Sequence, residues 1–184
     1  HCAMGTAPSD LPQYACSVQP LSGMTLHFRL DETYLHLQVE QQTAGMPVGW
    51  LAVGFATSPG MMTGATAAIG LPGAVEAVQL YHLGGTASSL VTPIPPSMHP
   101  LGLEVLTPSL IASGSMVRMS FKMHLDRLQL RPRDSPTDLI FAYGTTNHLA
   151  YHGYFSRSAM SVLLNHDPHP PPSPPSPPPP SPSP

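Results

Sequence analysis

Apolar and polar residues alternate along several segments of this chain with the period of two that is typical of β-strands. In residues 24–30 every second side chain is apolar and the positions between them are polar. Residues 35–39 repeat the pattern, and the polar residues 31–33 between the two segments predict a hairpin turn. This alternation indicates antiparallel strands with one face in a core and the other in solvent.

A second kind of strand signal is the nearly continuous run of apolar and small residues at positions 48–55, which predicts a strand buried on both faces. Residues 57–60 break this strand, and a Gly- and Ala-rich stretch at residues 64–70 follows outside the predicted strands. Residues 92–100 predict a Pro-rich surface loop. Further strands are predicted at residues 74–82, 101–106, 115–125, 137–143 and 159–164.

The strand signals together predict an all-β fold. No segment shows sustained helical periodicity with capping residues, so we expect little helix. Eight or more short strands at roughly ten-residue spacing, with turn residues between them, favour an antiparallel β-sandwich of immunoglobulin-like type with Greek-key connections.

The end of the chain differs in composition from the rest. Residues 170–184 are proline and serine alone, so they cannot build a core and lack backbone donors at most positions. We therefore predict two parts, a sandwich domain over residues 1–167 and a polyproline II tail or linker over residues 168–184. The tail resembles the Ser-Pro repeats of extensin-type wall glycoproteins, whose prolines are hydroxylated and arabinosylated, and it offers a means of self-association. An unmodified linker is the alternative.

Charged residues make up 9% of the chain, with Lys122 as its one lysine, against about 25% in ordinary soluble domains. Nucleic acid and anionic membrane surfaces both need clustered Lys and Arg, so we exclude them as partners. The chain has no apolar run of around 18 residues, so no membrane insertion is expected. It also has no Asn-x-Ser/Thr acceptor, so a glycan that compensated for the low charge would be O-linked.

Two cysteines, Cys2 and Cys16, are too few for a Cys-based zinc site or an iron–sulfur cluster, and they lack Cys-x-x-Cys spacing. We predict a disulfide that closes a short N-terminal loop, with free thiols as the alternative. Because disulfides persist in oxidising compartments, the pair indicates a secreted, extracellular protein.

Several short segments resemble, in their order and spacing, the DOMON family and within it the haem-binding cytochrome b branch typified by plant auxin-induced, wall-facing proteins. These segments are the early cysteine pair, Gly49-Trp50-x-Ala52-x-Gly54, Met62-x-Gly64-Ala65-x-Ala67, residues 139–144, Tyr151-His152 and residues 160–164. The resemblance implies a β-sandwich that holds one b-type haem. It further implies that Met62 and His152 are the axial ligands of the haem iron.

These two side chains are chemically suited to that role. A thioether from a loop after one strand and an imidazole from a late strand are ligands of six-coordinate haem iron. Gly64 allows the backbone to come close to a flat macrocycle, and Tyr151 is placed to edge a haem or to stack on a sugar ring. Met61 and His148 are alternative ligands. We expect Trp50 and Tyr143 to lie in the core because of their strand context.

We therefore expect a secreted b-type haem module that transfers electrons at the cell surface or wall and exchanges them with a redox donor and acceptor. With both axial positions filled the iron has no place for dioxygen, which suits an electron carrier rather than an enzyme. The alternative is a haem-free wall glycoprotein of the same fold, acting as a carbohydrate-binding or structural, filament-forming scaffold whose partner is a cell-wall polysaccharide.

Overall fold

The computed structural model describes residues 7–31, 33–98, 105–124, 136–150, 152–153 and 155–164, which form an all-β structure. The helical structure in these residues is two single 3-10 turns, Ser88–Leu90 and Pro96–Met98. The strands are β1 (Ala7–Pro8), β2 (Cys16–Leu21), β3 (Met24–Leu30), β4 (Tyr34–Gln42), β5 (Trp50–Phe55), β6 (Ala65–Gly70), β7 (Val78–Leu83), β8 (Val91–Pro93), β9 (Leu106–Ser113), β10 (Met116–His124), β11 (Thr137–Gly144) and β12 (Arg157–Val162).

The strands form two antiparallel sheets of six strands each. Sheet A has the order β1-β2-β3-β4-β10-β9, and sheet B has the order β12-β11-β5-β6-β7-β8. The chain crosses between the sheets after β4, after β8 and after β10, so that β10 returns beside β4 and β11 returns beside β5. The predicted antiparallel β-sandwich with little helix is therefore confirmed.

The core between the sheets is made by the apolar positions that alternate along the strands. Leu26 and Phe28 on β3 and Leu37 on β4 are fully buried, as the alternation predicts. Leu51 and Val53 on β5 meet them from sheet B. A second apolar cluster lies on the outer face of sheet B, where Trp50 and other residues of β5, β6 and β7 are also buried. The prediction that β5 is buried on both faces is therefore confirmed.

The turn between β3 and β4 forms as the sequence predicts. The Asp31 carboxylate accepts hydrogen bonds from the backbone N–H groups of Thr33, at 2.9 Å, and Tyr34, at 2.7 Å. This is the local capping of a turn by an aspartate side chain, and it closes the hairpin. Glu32, the middle residue of the predicted turn, lies outside the described residues.

Several strands depart from the sequence prediction. The Gly- and Ala-rich stretch is strand β6, because pairing with β5 and β7 overrides the low β-propensity of alanine and glycine. Strand β2 was not predicted, β8 lies at the start of the predicted Pro-rich loop, and β9 begins at Leu106, where the predicted strand ends. Residues 101–104 of that predicted strand lie outside the described residues.

Three sequence predictions concern parts of the chain that the structure does not describe fully. Cys16 is fully buried at the start of β2, while Cys2 lies outside the described residues, so their pairing stays a prediction. The tail, residues 168–184, also lies outside them. No helix among the described residues is long and apolar enough to cross a membrane.

Candidate functional site

A cavity of about 500 Å³ lies on the outer face of sheet B, on the side away from the core. This volume falls within the range of small-molecule and cofactor sites. The cavity is bounded by sheet B below and by the loops after β5, β7 and β11 at its sides. The residues used below to describe the cavity are Trp50, Ala52, Gly54, Met62, Ala67, Ile140, Ala142, His152 and Arg157.

The floor of the cavity is made of small side chains. Ala52 on β5 pairs with Ala142 on β11, and Gly54 on the same strand pairs with Ala67 on β6. Ile140 covers Gly54, since a Cβ on that glycine would lie 2.7 Å from the Ile140 Cγ1 atom. Because large side chains here would fill the space above the sheet, the small ones are what leave the cavity open to a flat ligand.

Met62 lies in the loop between β5 and β6, lines the cavity and is half-buried against the outer apolar cluster. The backbone holds it there, because the Met62 carbonyl accepts a hydrogen bond from the Ala65 N–H at 3.1 Å. The neighbouring Met61 is 52% exposed and is not one of the lining residues. Of the two adjacent methionines, Met62 is therefore the one that faces the cavity.

Gly64 has a structural role in the same loop. Its φ of +84° is a conformation that glycine adopts at no steric cost, and its N–H donates to the Leu83 carbonyl at 2.7 Å. Gly64 is exposed and is not one of the lining residues. Its predicted contact with a cofactor stays a prediction, whereas its contribution to the turn that positions Met62 is direct.

His152 lies in the loop between β11 and β12, not on a strand as the sequence predicts, because pairing along β11 ends at Gly144. It lines the cavity and is half-buried. Its Nδ1 atom is 2.9 Å from the Gly153 carbonyl oxygen, so Nδ1 carries the proton of the neutral ring and Nε2 has the lone pair. His148 is exposed, with Nδ1 3.3 Å from the Asn147 side-chain oxygen, and does not line the cavity. Tyr151 lies outside the described residues.

Met62 and His152 enter the cavity from opposite ends of β5. Met62 is hydrogen-bonded to the first residue of β6, which lies beside the Phe55 end of β5. The His152 ring is 6.3 Å from the ring of Trp50, the first residue of β5, with an interplanar angle of 62°. Since a strand rises about 3.3 Å per residue, the two ends of β5 are about 16 Å apart. The space between a thioether and an imidazole is thus bounded on both sides.

Trp50 is buried, as its strand context predicts, but it faces the cavity and not the core between the sheets. It is 4% exposed, and its indole Nε1 atom has no hydrogen-bond partner. The ring lies over Gly144, the residue opposite Trp50 on β11, where a Cβ would come within 2.0 Å of Nε1. The sequence signal that marks this contact is the pairing of a tryptophan with a glycine across two buried strands. Tyr143, by contrast, packs against the core as expected.

These features fit a haem group. A thioether and an imidazole are the ligands that hold six-coordinate haem iron, and the small floor residues accommodate a flat macrocycle. No cluster of three or more His, Cys, Asp or Glu side chains that could hold a metal ion is found within the part of the chain that the structure describes. The site therefore suits an iron carried by a ligand better than a bare metal ion held by the protein.

Comparison with known proteins agrees with the fold. No family model matches the sequence, and no curated protein matches it. Among solved structures, the chain is similar to the cytochrome domain of Myriococcum thermophilum cellobiose dehydrogenase, with a TM-score of 0.55 and 13% identity. The similarity covers 87% of this chain and 81% of that domain. The likeness supports a DOMON-like sandwich and concerns the fold.

Proposed function

We propose that this chain is a haem-binding electron-transfer module in which Met62 and His152 are the axial ligands. The single observation that supports the proposal is that both side chains line one cavity, on loops that follow β5 and β11. The structural neighbour is itself named as a cytochrome domain, which favours this function over others that the sandwich fold hosts.

Haem bound with both axial positions filled supplies a one-electron couple between ferric and ferrous iron, and Met/His ligation raises its reduction potential. The chain positions the ligands for this. The hydrogen bond from His152 Nδ1 to the Gly153 carbonyl fixes the tautomer that presents Nε2 as the ligand atom. The Trp50 ring packs beside the imidazole and restricts its rotation. The small floor residues let a macrocycle lie on the sheet and keep water away from its face.

The proposed setting is outside the cell. The cysteine pair and the extensin-like tail support secretion and a position at the cell surface or wall, where the protein would act as a carrier between a redox donor and an acceptor. Nucleic acid and membrane lipid remain excluded on charge and hydropathy.

Visible absorption of the haem-supplemented protein tests this proposal. On reduction the wild type should show the sharp α-band of six-coordinate, low-spin haem, and both Met62→Ala and His152→Ala should lose it. Met62→His should restore a six-coordinate spectrum and lower the reduction potential, because imidazole replaces the thioether that raises it.

The adjacent residues provide matched controls. Met61→Ala and His148→Ala remove the same chemical groups one and four residues away, and both should keep the α-band because these side chains do not line the cavity. If Met61→Ala or His148→Ala loses the band while Met62→Ala or His152→Ala keeps it, the ligand assignment is wrong.

The alternative function predicts a different result in the same experiment. A wild type that stays colourless with added haem, and that binds cell-wall polysaccharide in a pull-down assay, would support the haem-free scaffold. A colourless protein would contradict the electron-transfer proposal whether or not polysaccharide binds.

A further inference from the structure

We infer that Trp50 and Arg157 form an anchor for a carboxylate of the ligand in the cavity, and this inference rests on the proposed haem function. The starting observation is the Trp50 indole N–H. It is a donor on a side chain that is 4% exposed, it lines the cavity, and it has no hydrogen-bond partner in the protein. A buried donor without an acceptor costs free energy, and the cost is removed when a ligand supplies the acceptor.

Other side chains of the protein leave this donor without an acceptor for a structural reason. The indole lies over Gly144, which has no side chain, and a Cβ there would come within 2.0 Å of Nε1 and 2.4 Å of Cε2. The glycine thus permits the ring to lie flat against β11 beside the cavity. The neighbour on its other side is His152, which contacts the indole as a ring, edge to face.

Arg157 supplies positive charge at the same site. It is an exposed residue that lines the cavity, on β12 opposite Ala142. Ala142 is in turn opposite Ala52, two residues along β5 from Trp50 and on the same face. Strands are about 4.8 Å apart, so Arg157 lies two strands, roughly 10 Å, across the sheet from β5. Side chains as long as those of arginine and tryptophan can meet one group placed between them.

The charge balance of the cavity favours an anionic ligand. No Asp or Glu lines it among the residues that the structure describes, and Arg157 is the one Lys or Arg that does. A charged acceptor also strengthens the bond that the indole N–H donates. Haem carries two propionate carboxylates, and the inference assigns one of them to Trp50 and Arg157. This contact would fix the rotation of the macrocycle about the axis between Met62 and His152.

A titration with two ligands tests the anchor. The wild type, Trp50→Phe and Arg157→Gln are titrated with haem and with haem dimethyl ester, whose propionates are esterified, and binding is followed by absorbance. Phenylalanine keeps an apolar ring and removes only the indole N–H and its second ring. We expect Trp50→Phe to bind haem roughly tenfold to a hundredfold more weakly, as loss of a hydrogen bond to a charged acceptor predicts. The ester should bind the wild type and Trp50→Phe with equal affinity.

The thermal unfolding of the ligand-free proteins gives a readout that a purely structural role would move differently. Trp50→Phe removes a donor that has no partner, so its unfolding midpoint should not drop in proportion to the loss of haem affinity. Arg157→Gln, at an exposed position, provides a second variant that should weaken haem binding more than ester binding.

The outcomes separate the anchor from the haem proposal itself. If Trp50→Phe and Arg157→Gln bind haem as tightly as the wild type, or lose affinity for haem and ester alike, the anchor is wrong while the haem proposal stands. If the wild type binds neither ligand, both are wrong.

Discussion

At the scale of single residues, burial determines the chemistry of His27 on β3. The sequence pattern places it on the polar face of its strand, but the structure leaves it 2% exposed. Its Nδ1 atom shares a hydrogen bond of 2.8 Å with the Ser9 hydroxyl, and the Tyr14 ring lies 6.0 Å away. The segment before β2 therefore covers this histidine on the outer face of sheet A.

Burial lowers the pKa of His27, although the carboxylates of Glu40 and Asp10 act in the opposite direction and the Arg118 guanidinium adds to the lowering. The folded protein thus keeps His27 neutral below the ordinary histidine pKa of about 6.5. Between that value and the lower pKa of the folded state, the unfolded chain binds the proton more readily. The stabilisation is complete above about pH 6.5 and is lost as pH falls through this interval.

We expect the free energy of unfolding to fall between pH 7 and pH 5 with a contribution from His27 of at most about 1.4 kcal/mol per pH unit. The His27→Gln variant should lack this contribution, so its curve should be flatter than that of the wild type. Urea unfolding at several pH values measures both curves. A His27→Gln curve with the same slope as the wild type would contradict the argument.

A second titration does not interfere with this measurement. Burial acts to raise the pKa of Asp31, but hydrogen bonds from His36 and from the N–H groups of Thr33 and Tyr34 outweigh it and lower the pKa to about 2. The stabilisation from this turn is therefore present above the ordinary carboxyl pKa of about 3.9 and is lost as pH falls towards 2. That range lies below the one in which His27 titrates.

At the scale of elements, the loop after β11 is fixed to the start of β5 by a glycine. The Gly49 N–H donates to the Gly144 carbonyl at 2.7 Å. A Cβ on Gly49 would lie 1.8 Å from the Thr146 carbonyl oxygen, which is a backbone atom that cannot move alone. Since the same loop carries His152, this close approach helps to set the position of the proposed ligand.

We therefore expect Gly49→Ala to displace the loop, to destabilise the protein by about 1–3 kcal/mol as overpacking does, and to weaken haem binding. Gly70→Ala is the matched control. Its Cβ would lie 2.7 Å from a Leu110 methyl group and 3.1 Å from the Met119 sulfur, in the core between the sheets. It should cost stability without changing the absorption spectrum of the haem complex.

Denaturant unfolding and the haem spectrum of both variants check this prediction. If Gly49→Ala binds haem like the wild type while losing stability, the loop contact is a matter of packing and does not position His152. If Gly70→Ala alters the spectrum, the two faces of sheet B are coupled more closely than the structure indicates.

Strand β6 illustrates why some elements escaped prediction from the sequence. Its residues are small, so neither hydrophobicity nor β-propensity distinguishes them from a turn. The alternation is nevertheless present, since Ala67 faces the cavity while Ala68 lies in the core between the sheets. The strand exists because β5 and β7 supply hydrogen-bond partners on both sides.

At the scale of the whole molecule, the sandwich and the tail should behave independently. The core clusters consist of residues between 16 and 164, and proline and serine add no apolar surface for packing. We predict that removal of residues 168–184 changes the midpoint of thermal unfolding by less than about 2 °C, the shift that corresponds to less than roughly 1 kcal/mol in a chain of this size.

Calorimetry of the full chain and the truncated chain checks this prediction, and the two should show one cooperative transition each. Circular dichroism of the tail as a separate peptide should give a polyproline II signature. A larger fall in the midpoint would mean that the tail packs against the sandwich.

The sequence by itself determined the strand alternation, the sandwich class and the choice of Met62 and His152 as candidate ligands, because side-chain period and turn residues are local properties of the chain. Only the tertiary structure decided which of two adjacent methionines lines the cavity, which histidine shares it, and that Trp50 faces outward with an unpartnered donor. These facts depend on the pairing of β5 with β11, which lie more than 80 residues apart in the sequence. Neighbouring residues on a chain point in different directions, and only long-range register fixes which direction leads into a cavity.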